Sequence, residues 1–250
     1  MKVLMVHSGK GGVGKSTIAL GLACYMAEKN VKTGLIDLDL ESPSIPIFTG
    51  TRSVELKVGR LIEPVEYGKI KIISLGHIAI FEDLPLSWWE SKEVEAVKHM
   101  FTDVDWGNIE LMVLDMPPGT GGIHYGAVKA IRELKHTLVG AVIVTTPSEA
   151  SCVSVGRTIS FMRQLNTPII GVVENMAGIK CPKCGETIRM YGTVNVREKC
   201  RSWKVKYLGC IPLYPEVSES LEKGNIKPLL EKPEFKCFAE KVFEEVTIYE

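Results

Sequence analysis

Glycine, lysine and serine residues near the start of the chain have the spacing that binds phosphate. The run Val3–Thr17 reads VLMVHSGKGGVGKST and matches the pattern G-x-x-x-x-G-K-[ST]. Glycines allow the backbone N–H groups to converge on phosphate oxygens, and the helix that follows adds partial positive charge. In this pattern Lys15 neutralises the β- and γ-phosphates, and the Ser16 hydroxyl binds Mg²⁺. The residues predicted to contact the nucleotide in this run are Gly11, Gly12, Val13, Gly14, Lys15, Ser16 and Thr17.

A second pattern, G-x-G-x-x-G, overlaps the same loop at Gly9, Gly11 and Gly14. This spacing is typical of dinucleotide sites, and Asp37 lies about where the ribose-binding acid of such a site is found. The phosphate-loop interpretation is favoured because it also explains the lysine and serine, which a dinucleotide site leaves unused.

Acidic residues follow two further apolar runs of the chain. KTGLIDLDL, residues 32–40, is predicted to be a strand that carries Asp37 and Asp39, and ELMVLD, residues 110–115, a strand that ends in Asp115. Acids at the carboxyl ends of parallel strands lie at the ligand edge of the sheet, where Asp115 is expected to hold Mg²⁺ through water. Strands alternate with helices, which predicts one α/β domain, residues 1–250, with a mostly parallel β-sheet and helices on both faces.

Composition limits the partners that the chain is expected to bind. Its 250 residues include 30 basic and 30 acidic side chains, so the formal net charge is zero. This balance argues against nucleic acid or a membrane as a partner. No signal peptide or long apolar stretch is found, and the 7 cysteines, an odd number, indicate a reducing compartment, here the cytoplasm.

Four side chains are predicted to lie in the core, namely those of Trp88, Trp89, Cys24 and Cys152.

Two cysteines, Cys181 and Cys184, lie in the sequence GIKCPKCGE, where both thiolates can face one ion. The segment follows a late strand, which makes a thioredoxin-like redox pair improbable. Structural zinc needs four ligands, which Cys200 and Cys210 could complete, although their spacing is not that of a second zinc knuckle. A [4Fe–4S] cluster also takes four thiolates, which two chains of a symmetric dimer would supply. The spacing alone leaves zinc and iron–sulfur open.

Several of these motifs together resemble one family. Lys10, just after the first glycine of the loop, resembles the deviant phosphate loop of the MinD/ParA/Mrp class of ATPases. DLDLESPSIPIFTG, and ENMAG followed by C-x-x-C-G in a cluster-binding segment near residues 175–192, resemble the Mrp/ApbC family of iron–sulfur cluster carrier ATPases. The resemblance covers nearly the whole chain. It implies a homodimeric ATPase that binds a [4Fe–4S] cluster and passes it to iron–sulfur apoproteins.

The same resemblance implies roles for individual residues. Lys10 would act on the partner's nucleotide, and Asp39 would orient the attacking water. Together with Lys15 these two residues would form the catalytic group. Asp37 would lie near the Mg²⁺ held by Ser16 and Asp115. A loop asparagine, Asn175, would contact the adenine, and the loop that contains Pro212 would pack on the base. Cys181 and Cys184 would hold the cluster between two subunits.

One position departs from the family pattern. The family string D-x-P-P-G-T-G-D ends in an acid where this chain has Gly122, so the second switch lacks one carboxylate. Two alternatives remain within the superfamily. A MinD/ParA-like spatial regulator would hold structural zinc at the cysteines, and a nickel-insertion ATPase would also use a C-x-x-C pair at a dimer interface.

Overall fold

A largely parallel β-sheet forms the centre of the computed structural model, which describes residues 1–39, 42–51, 61–74, 77, 93–181, 183–191 and 194–248. The strands are β1 (Lys2–Ser8), β2 (Thr33–Asp37), β3 (Val65–Tyr67), β4 (Ile70–Ser74), β5 (Leu111–Asp115), β6 (Thr137–Thr145), β7 (Ile169–Lys180), β8 (Thr187–Ile188) and β9 (Tyr207–Leu213). The helices are α1 (Lys15–Glu28), α2 (Ile45–Thr49), α3 (Glu93–Thr102), α4 (Gly122–Glu133), α5 (Glu149–Gln164), α6 (Val196–Trp203), α7 (Pro215–Glu222), α8 (Lys227–Leu230) and α9 (Pro233–Thr247).

The strand order brings the predicted acids next to the phosphate loop. Among the described strands the order is β3-β4-β2-β5-β1-β6-β7-β8, and β9 pairs in parallel with β7. β1 therefore lies between β5 and β6, and Asp115 pairs with Val6 on one side and with Asp37 on the other. The carboxyl ends of β1, β2 and β5 share one edge, which is the ligand edge of a parallel sheet. The predicted α/β fold is confirmed.

Apolar side chains on both faces of the sheet form the core. Along β1, Leu4 and Val6 join one buried cluster with residues of α1 and α9, and Val3 and Met5 join another with residues of α3 and α4. Successive side chains of a strand point to opposite faces, so a continuous apolar strand needs helices on both. Phe235 of α9 packs closely against Gly21 of α1. A Cβ added to Gly21 would lie only 2.7 Å from the Phe235 ring.

Two predicted boundaries differ from the structure. The strand expected over residues 32–40 ends at Asp37, so Asp39 lies beyond it, where its backbone N–H donates to Asp37 Oδ1 over 3.0 Å. Asn175, expected in a loop, lies within β7, because pairing with β9 and β8 keeps this strand extended as far as Lys180. The Trp88–Trp89 pair lies outside the described residues.

The predicted burial of two cysteine thiols is confirmed. Cys24 and Cys152 are both buried. The α5 helix begins after Ser148, whose side chain accepts a hydrogen bond from the N–H of Ser151, as an N-cap residue does. None of the described helices has the length and apolarity needed to cross a bilayer.

Candidate functional site

The loop between β1 and α1 has the backbone shape that its glycines permit. Gly12 and Gly14 have positive φ angles of 76° and 83°. Gly14 is also crowded, since a Cβ there would lie 2.2 Å from Asn175 Nδ2. That amide nitrogen donates to the carbonyl of Val13 over 2.9 Å. Asn175 thus ties the phosphate loop to β7, and only glycine fits at position 14.

The loop ends at a helix N-terminus that can receive an anion. Gly14 is the N-cap residue of α1, and it has no side chain that could hydrogen-bond to the first backbone N–H groups of the helix. Such groups lack partners within the helix and carry partial positive charge. Ser16 and Thr17 are half-buried at this end. The arrangement suits a phosphate group.

The Lys15 ammonium is held by acids at this edge of the sheet. It donates to Asp115 Oδ1 over 2.6 Å and lies 3.6 Å from Asp39 Oδ2. It also lies 3.3 Å from the Ser16 hydroxyl oxygen. Lys15 is only 6% exposed, so these partners compensate for its charge in a site with little water. Four residues predicted from the sequence therefore lie in one cluster, namely Lys15, Ser16, Asp39 and Asp115.

Asp37 lies beside this cluster and is bound differently. Its Oδ2 accepts a hydrogen bond from the Ser74 hydroxyl over 2.7 Å, in addition to the contact with the backbone of Asp39. Burial raises the pKa of Asp37 to about 7, with a further upward contribution from the charge of Asp115. Burial also raises the pKa of Asp115, and the Lys15 ammonium opposes that rise. The site concentrates negative charge that a cation would relieve.

The residues predicted to hold Mg²⁺ fit that ion. Asp115 Oδ2 is buried and has no hydrogen-bond partner among the described residues. A buried carboxylate oxygen without a partner is costly unless a cation or water binds to it. Mg²⁺ prefers oxygen ligands and keeps several waters, and Ser16 and Asp37 supply further oxygens at the same edge.

A cavity of about 60 Å³ opens beside the phosphate loop. Gly14 and Thr17 line one side, and Asn175, Pro212 and Tyr214 line the other. Both residues predicted to contact the base therefore lie next to the predicted phosphate site. The lining is mostly apolar.

The cysteine pair lies at the tip of a β-hairpin. β7 and β8 pair antiparallel, with Ile179 opposite Ile188. The turn is closed by the N–H of Cys181, which donates to the Glu186 carbonyl over 2.8 Å, and by the N–H of Gly185, which donates to the Cys181 carbonyl over 2.9 Å. Cys184 is exposed and Cys181 half-buried.

The electrostatics of the hairpin favour a thiolate. Hydrogen bonds from the backbone N–H groups of Cys184 and Lys183 lower the pKa of the Cys181 thiol. Cys200 is buried within α6, whereas Cys210 is exposed on β9. Over the described ranges, no three His, Cys, Asp or Glu side chains are grouped to hold a metal ion. The alternative raised from the sequence, a zinc site formed by four cysteines of one chain, is therefore not assembled by the described residues.

Comparison with known proteins decides the family. A family profile described as ParA, the NUBPL iron-transfer P-loop NTPases, matches residues 1–247. The chain belongs to the NUBPL iron-transfer P-loop NTPase family. The chain is 33% identical over 248 residues to an iron–sulfur cluster carrier protein of Methanocaldococcus jannaschii, covering 97% of this chain and 84% of that one.

Other relatives of this NUBPL-type chain carry similar names. An iron–sulfur cluster carrier protein of Aquifex aeolicus is 37% identical over 225 residues, 89% of this chain, and the chain spans 60% of that relative's length. A cytosolic Fe–S cluster assembly factor NUBP2 homolog of Dictyostelium discoideum is also 37% identical over 225 residues. This match covers 88% of this chain and 84% of the length of that relative.

Solved structures agree on the fold. A nucleotide-binding protein of Archaeoglobus fulgidus, in complex with ADP and with cobalt found in it, has a TM-score of 0.75 and 30% identity over 93% of this chain and 89% of that one. MinD of Pyrococcus horikoshii with Mg-ADP has a TM-score of 0.69 over 100% of this chain and 99% of that one. Its identity is 19%, so this likeness shows the P-loop NTPase fold alone.

Lys10 lies apart from the buried cluster of this NUBPL-type site. The residue is exposed on the phosphate loop, and no ion-pair partner for its ammonium is found in the described part of the chain. An exposed lysine at this position is free to reach outwards, whereas Lys15 points into the protein.

Sequence reasoning missed residues that support the site. Ser74, which holds Asp37, ends β4 beside β2, and its place at the same sheet edge is the signal that could have found it. Glu234 accepts from Lys180 Nζ over 2.7 Å and from the Tyr214 hydroxyl over 2.6 Å. This carboxylate thus connects Lys180, the residue before Cys181, with Tyr214 in the cavity beside the phosphate loop. No local motif around Glu234 predicts this connection.

Proposed function

We propose that this chain is an ATP-hydrolysing iron–sulfur cluster carrier. It assembles a [4Fe–4S] cluster at a homodimer interface and transfers it to apoproteins. The observation that carries the proposal is the presence, in one NUBPL-type chain, of a phosphate loop with a buried Lys–Asp cluster and of a cysteine pair at the tip of a hairpin. The names of the curated relatives support the same cargo.

The nucleotide chemistry is assigned to the buried cluster. ATP phosphates bind at the N-terminus of α1, where Lys15 exchanges its contact with Asp115 for phosphate oxygens. Asp39, which lies close to that lysine, orients the attacking water. Mg²⁺, held by Ser16 and Asp115 with Asp37 nearby, neutralises charge that develops on the phosphates, and the remaining chemistry is positioning.

Lys10 acts on the nucleotide of the partner subunit. Its exposure and the lack of an ion-pair partner among the described residues leave its ammonium free for such a contact. A cation that comes from the other subunit would stabilise the transition-state charge only in a closed dimer. ATP turnover would then depend on dimer closure.

The cluster is bound by Cys181 and Cys184 of two chains. A [4Fe–4S] cluster normally takes four thiolates, and each chain supplies two from an exposed hairpin. A two-fold axis brings identical surfaces together, so two hairpins can complete the set. The lowered pKa of Cys181 favours the thiolate, which is the form that binds iron.

The alternatives assign other metals to the same hairpin. A spatial regulator with structural zinc, or a nickel-insertion ATPase, would use the same fold and the same cysteine pair. The names of the relatives favour iron–sulfur cargo, and the name of the NUBP2 homolog also supports action in the cytoplasm. Recipient iron–sulfur apoproteins are the proposed partners, with neither nucleic acid nor a membrane required.

A transfer assay tests this function. Cluster-loaded protein is mixed with an apoenzyme whose activity requires a [4Fe–4S] cluster, and the recovery of that activity is measured. The Cys181→Ser/Cys184→Ser variant is expected to transfer none, whereas the exposed-cysteine control Cys237→Ser should match the wild type. Transfer by the double variant at the wild-type rate would show that the carrier role is wrong.

The same assay tests whether the nucleotide controls the cargo. With saturating ATP, Lys15→Ala is expected to transfer more slowly than the wild type, because closure of the dimer depends on bound nucleotide. Equal transfer rates would mean that cluster release does not depend on the nucleotide site, even if the cysteine result supports a carrier.

A further inference from the structure

His124, at the start of α4, spans the loop that follows Asp115. Its Nδ1 accepts a hydrogen bond from the N–H of Gly121 over 3.1 Å, and its Nε2 lies 3.0 Å from the carbonyl oxygen of Pro117. A carbonyl only accepts, so the ring proton is on Nε2 and donates to Pro117. One neutral imidazole therefore holds both ends of the loop 117–121.

The imidazole of His124 is itself fixed by its neighbours. It is 1% exposed, and its ring centroid lies 4.3 Å from that of His7, which belongs to β1 two residues before the phosphate loop. Phe161 of α5 packs edge-on against it, with 6.1 Å between ring centroids. Packing on two sides leaves the ring little freedom, so its hydrogen bonds define the loop position.

The loop that His124 holds lies against the phosphate loop. The N–H of Gly119 donates to the carbonyl of Ser8 over 2.9 Å, and nothing lies within 4 Å of a Cβ built on Gly119, whose φ is +83°. The loop also begins two residues after Asp115, the predicted Mg²⁺ ligand. The loop therefore borders both the phosphate loop and the predicted Mg²⁺ ligand, the two features that flank the terminal phosphate in sites of this kind.

We propose that His124 is a positioning residue for the γ-phosphate. By bridging Pro117 and Gly121 it fixes the position of the loop backbone for contact with the γ-phosphate. A triphosphate has this group and a diphosphate lacks it. The inference rests on the proposed nucleotide function. It adds a residue that touches neither nucleotide nor metal but acts through the loop, in a chain where Gly122 contributes no carboxylate to the same segment.

Two substitutions separate positioning from simple packing. His124→Phe keeps an aromatic ring against His7 and Phe161 but removes both hydrogen bonds. His124→Gln keeps an acceptor for the N–H of Gly121, as glutamine does at this position of a capping box, and gives up the rigid bridge to Pro117. Thermal melting of each variant confirms that the protein remains folded.

The test compares the affinities for ADP and for the non-hydrolysable triphosphate AMP-PNP, both with Mg²⁺. His124→Phe is expected to weaken AMP-PNP binding about tenfold, since two hydrogen bonds that place the loop are lost, while ADP binding changes less than about twofold. His124→Gln is expected to lie between the wild type and His124→Phe, and kcat for ATP hydrolysis should follow the triphosphate affinity.

Equal weakening of both nucleotides, or no change in their ratio for either variant, would overturn the positioning role. The measurement also separates this inference from the proposed function. If the wild type binds both nucleotides but hydrolyses no ATP, the ATPase proposal is wrong, and the affinity ratio still decides the role of His124.

Discussion

At the scale of single residues, the candidate site is governed by the charge of Lys15. Its ammonium is buried and lies 2.6 Å from Asp115 and 3.6 Å from Asp39, and Asp37 pairs with Asp115 on the neighbouring strand. Removing one partner of a buried ion pair costs far more than the pair itself contributes, because the other charge is left without compensation. A phosphate group that approached Lys15 would replace one anionic partner by another.

Lys15→Ala is therefore expected to affect both stability and binding. We expect the free energy of unfolding to fall by about 3 kcal/mol, because Asp115 is left buried without its cation, and nucleotide binding to be lost. Lys10→Ala is the matched control, since that lysine is exposed and its loss should change stability by less than about 0.5 kcal/mol. Urea denaturation and nucleotide titration of the two variants give the comparison, and equal stabilities would contradict this account of the site.

Glycine substitutions test the shape of the phosphate loop without a change of charge. Gly14→Ala forces an alanine to a φ of 83° and places its Cβ 2.2 Å from Asn175, so we expect a loss of about 2 kcal/mol of stability in urea denaturation. Gly11→Ala has nothing within 4 Å of the added atom and should retain wild-type stability in the absence of nucleotide. A stable Gly14→Ala protein would show that the loop does not have this geometry in solution.

At the scale of elements, the sequence predicts what depends on local pattern and misses what depends on distant partners. The strand before the phosphate loop, the helix after it and Asp115 at the end of β5 follow from apolar runs and glycine spacing. The sequence predicts Asn175 in a loop, because nothing in its own segment reveals the pairing of β7 with β9. His124 gives no local signal either, since its two hydrogen bonds exist only once the loop is folded.

Because β7 supports the phosphate loop through Asn175, its amide should matter for binding. Asn175→Ala leaves the carbonyl of Val13 without its donor, so we expect stability to fall by about 1–2 kcal/mol and nucleotide affinity to fall about tenfold. Asn195→Ala removes the N-cap of α6 and should cost about 1 kcal/mol without any effect on the nucleotide. Nucleotide affinities that remain equal in the two variants would mean that β7 does not hold the loop.

At the scale of the whole molecule, buried histidines make stability depend on pH. Burial lowers the pKa of His7 well below its usual range, and lowers the pKa values of His77 and His124 to about 4. In the unfolded chain these histidines bind a proton near pH 6.5, so the unfolded state holds more protons between about pH 6.5 and 4. The stability that neutral burial provides is present above pH 6.5 and is lost as the pH falls through this window.

His124→Gln isolates one contribution to that loss. Between pH 7.5 and 5, the wild type is expected to lose about 2 kcal/mol more of its free energy of unfolding than the variant does, because glutamine does not titrate. Asn195→Ala, which removes no titratable group, serves as the control and should keep the slope of the wild type. Urea denaturation at the two pH values measures the difference, and parallel curves for wild type and His124→Gln would rule out a buried neutral imidazole.

The need for a second copy of the chain follows from the chemistry of residues that one chain presents at its surface. A single chain presents two thiols on its exposed hairpin, half of what a [4Fe–4S] cluster takes, and an outward-facing Lys10. Both features predict that the complete site needs a second copy. Zinc and iron clusters accept the same thiolates, so the metal content of the purified protein distinguishes the two.

Reconstitution with iron and sulfide under anaerobic conditions tests the central claim most directly. We expect about four irons for every two chains, a visible absorption band from the cluster, and a dimer by light scattering, all three unchanged in Cys237→Ser. In the Cys181→Ser/Cys184→Ser variant the iron and the band should be lost while ADP binding remains. Tightly bound zinc that iron does not displace, or iron that the double variant still retains, would contradict a cluster held between two chains by this hairpin.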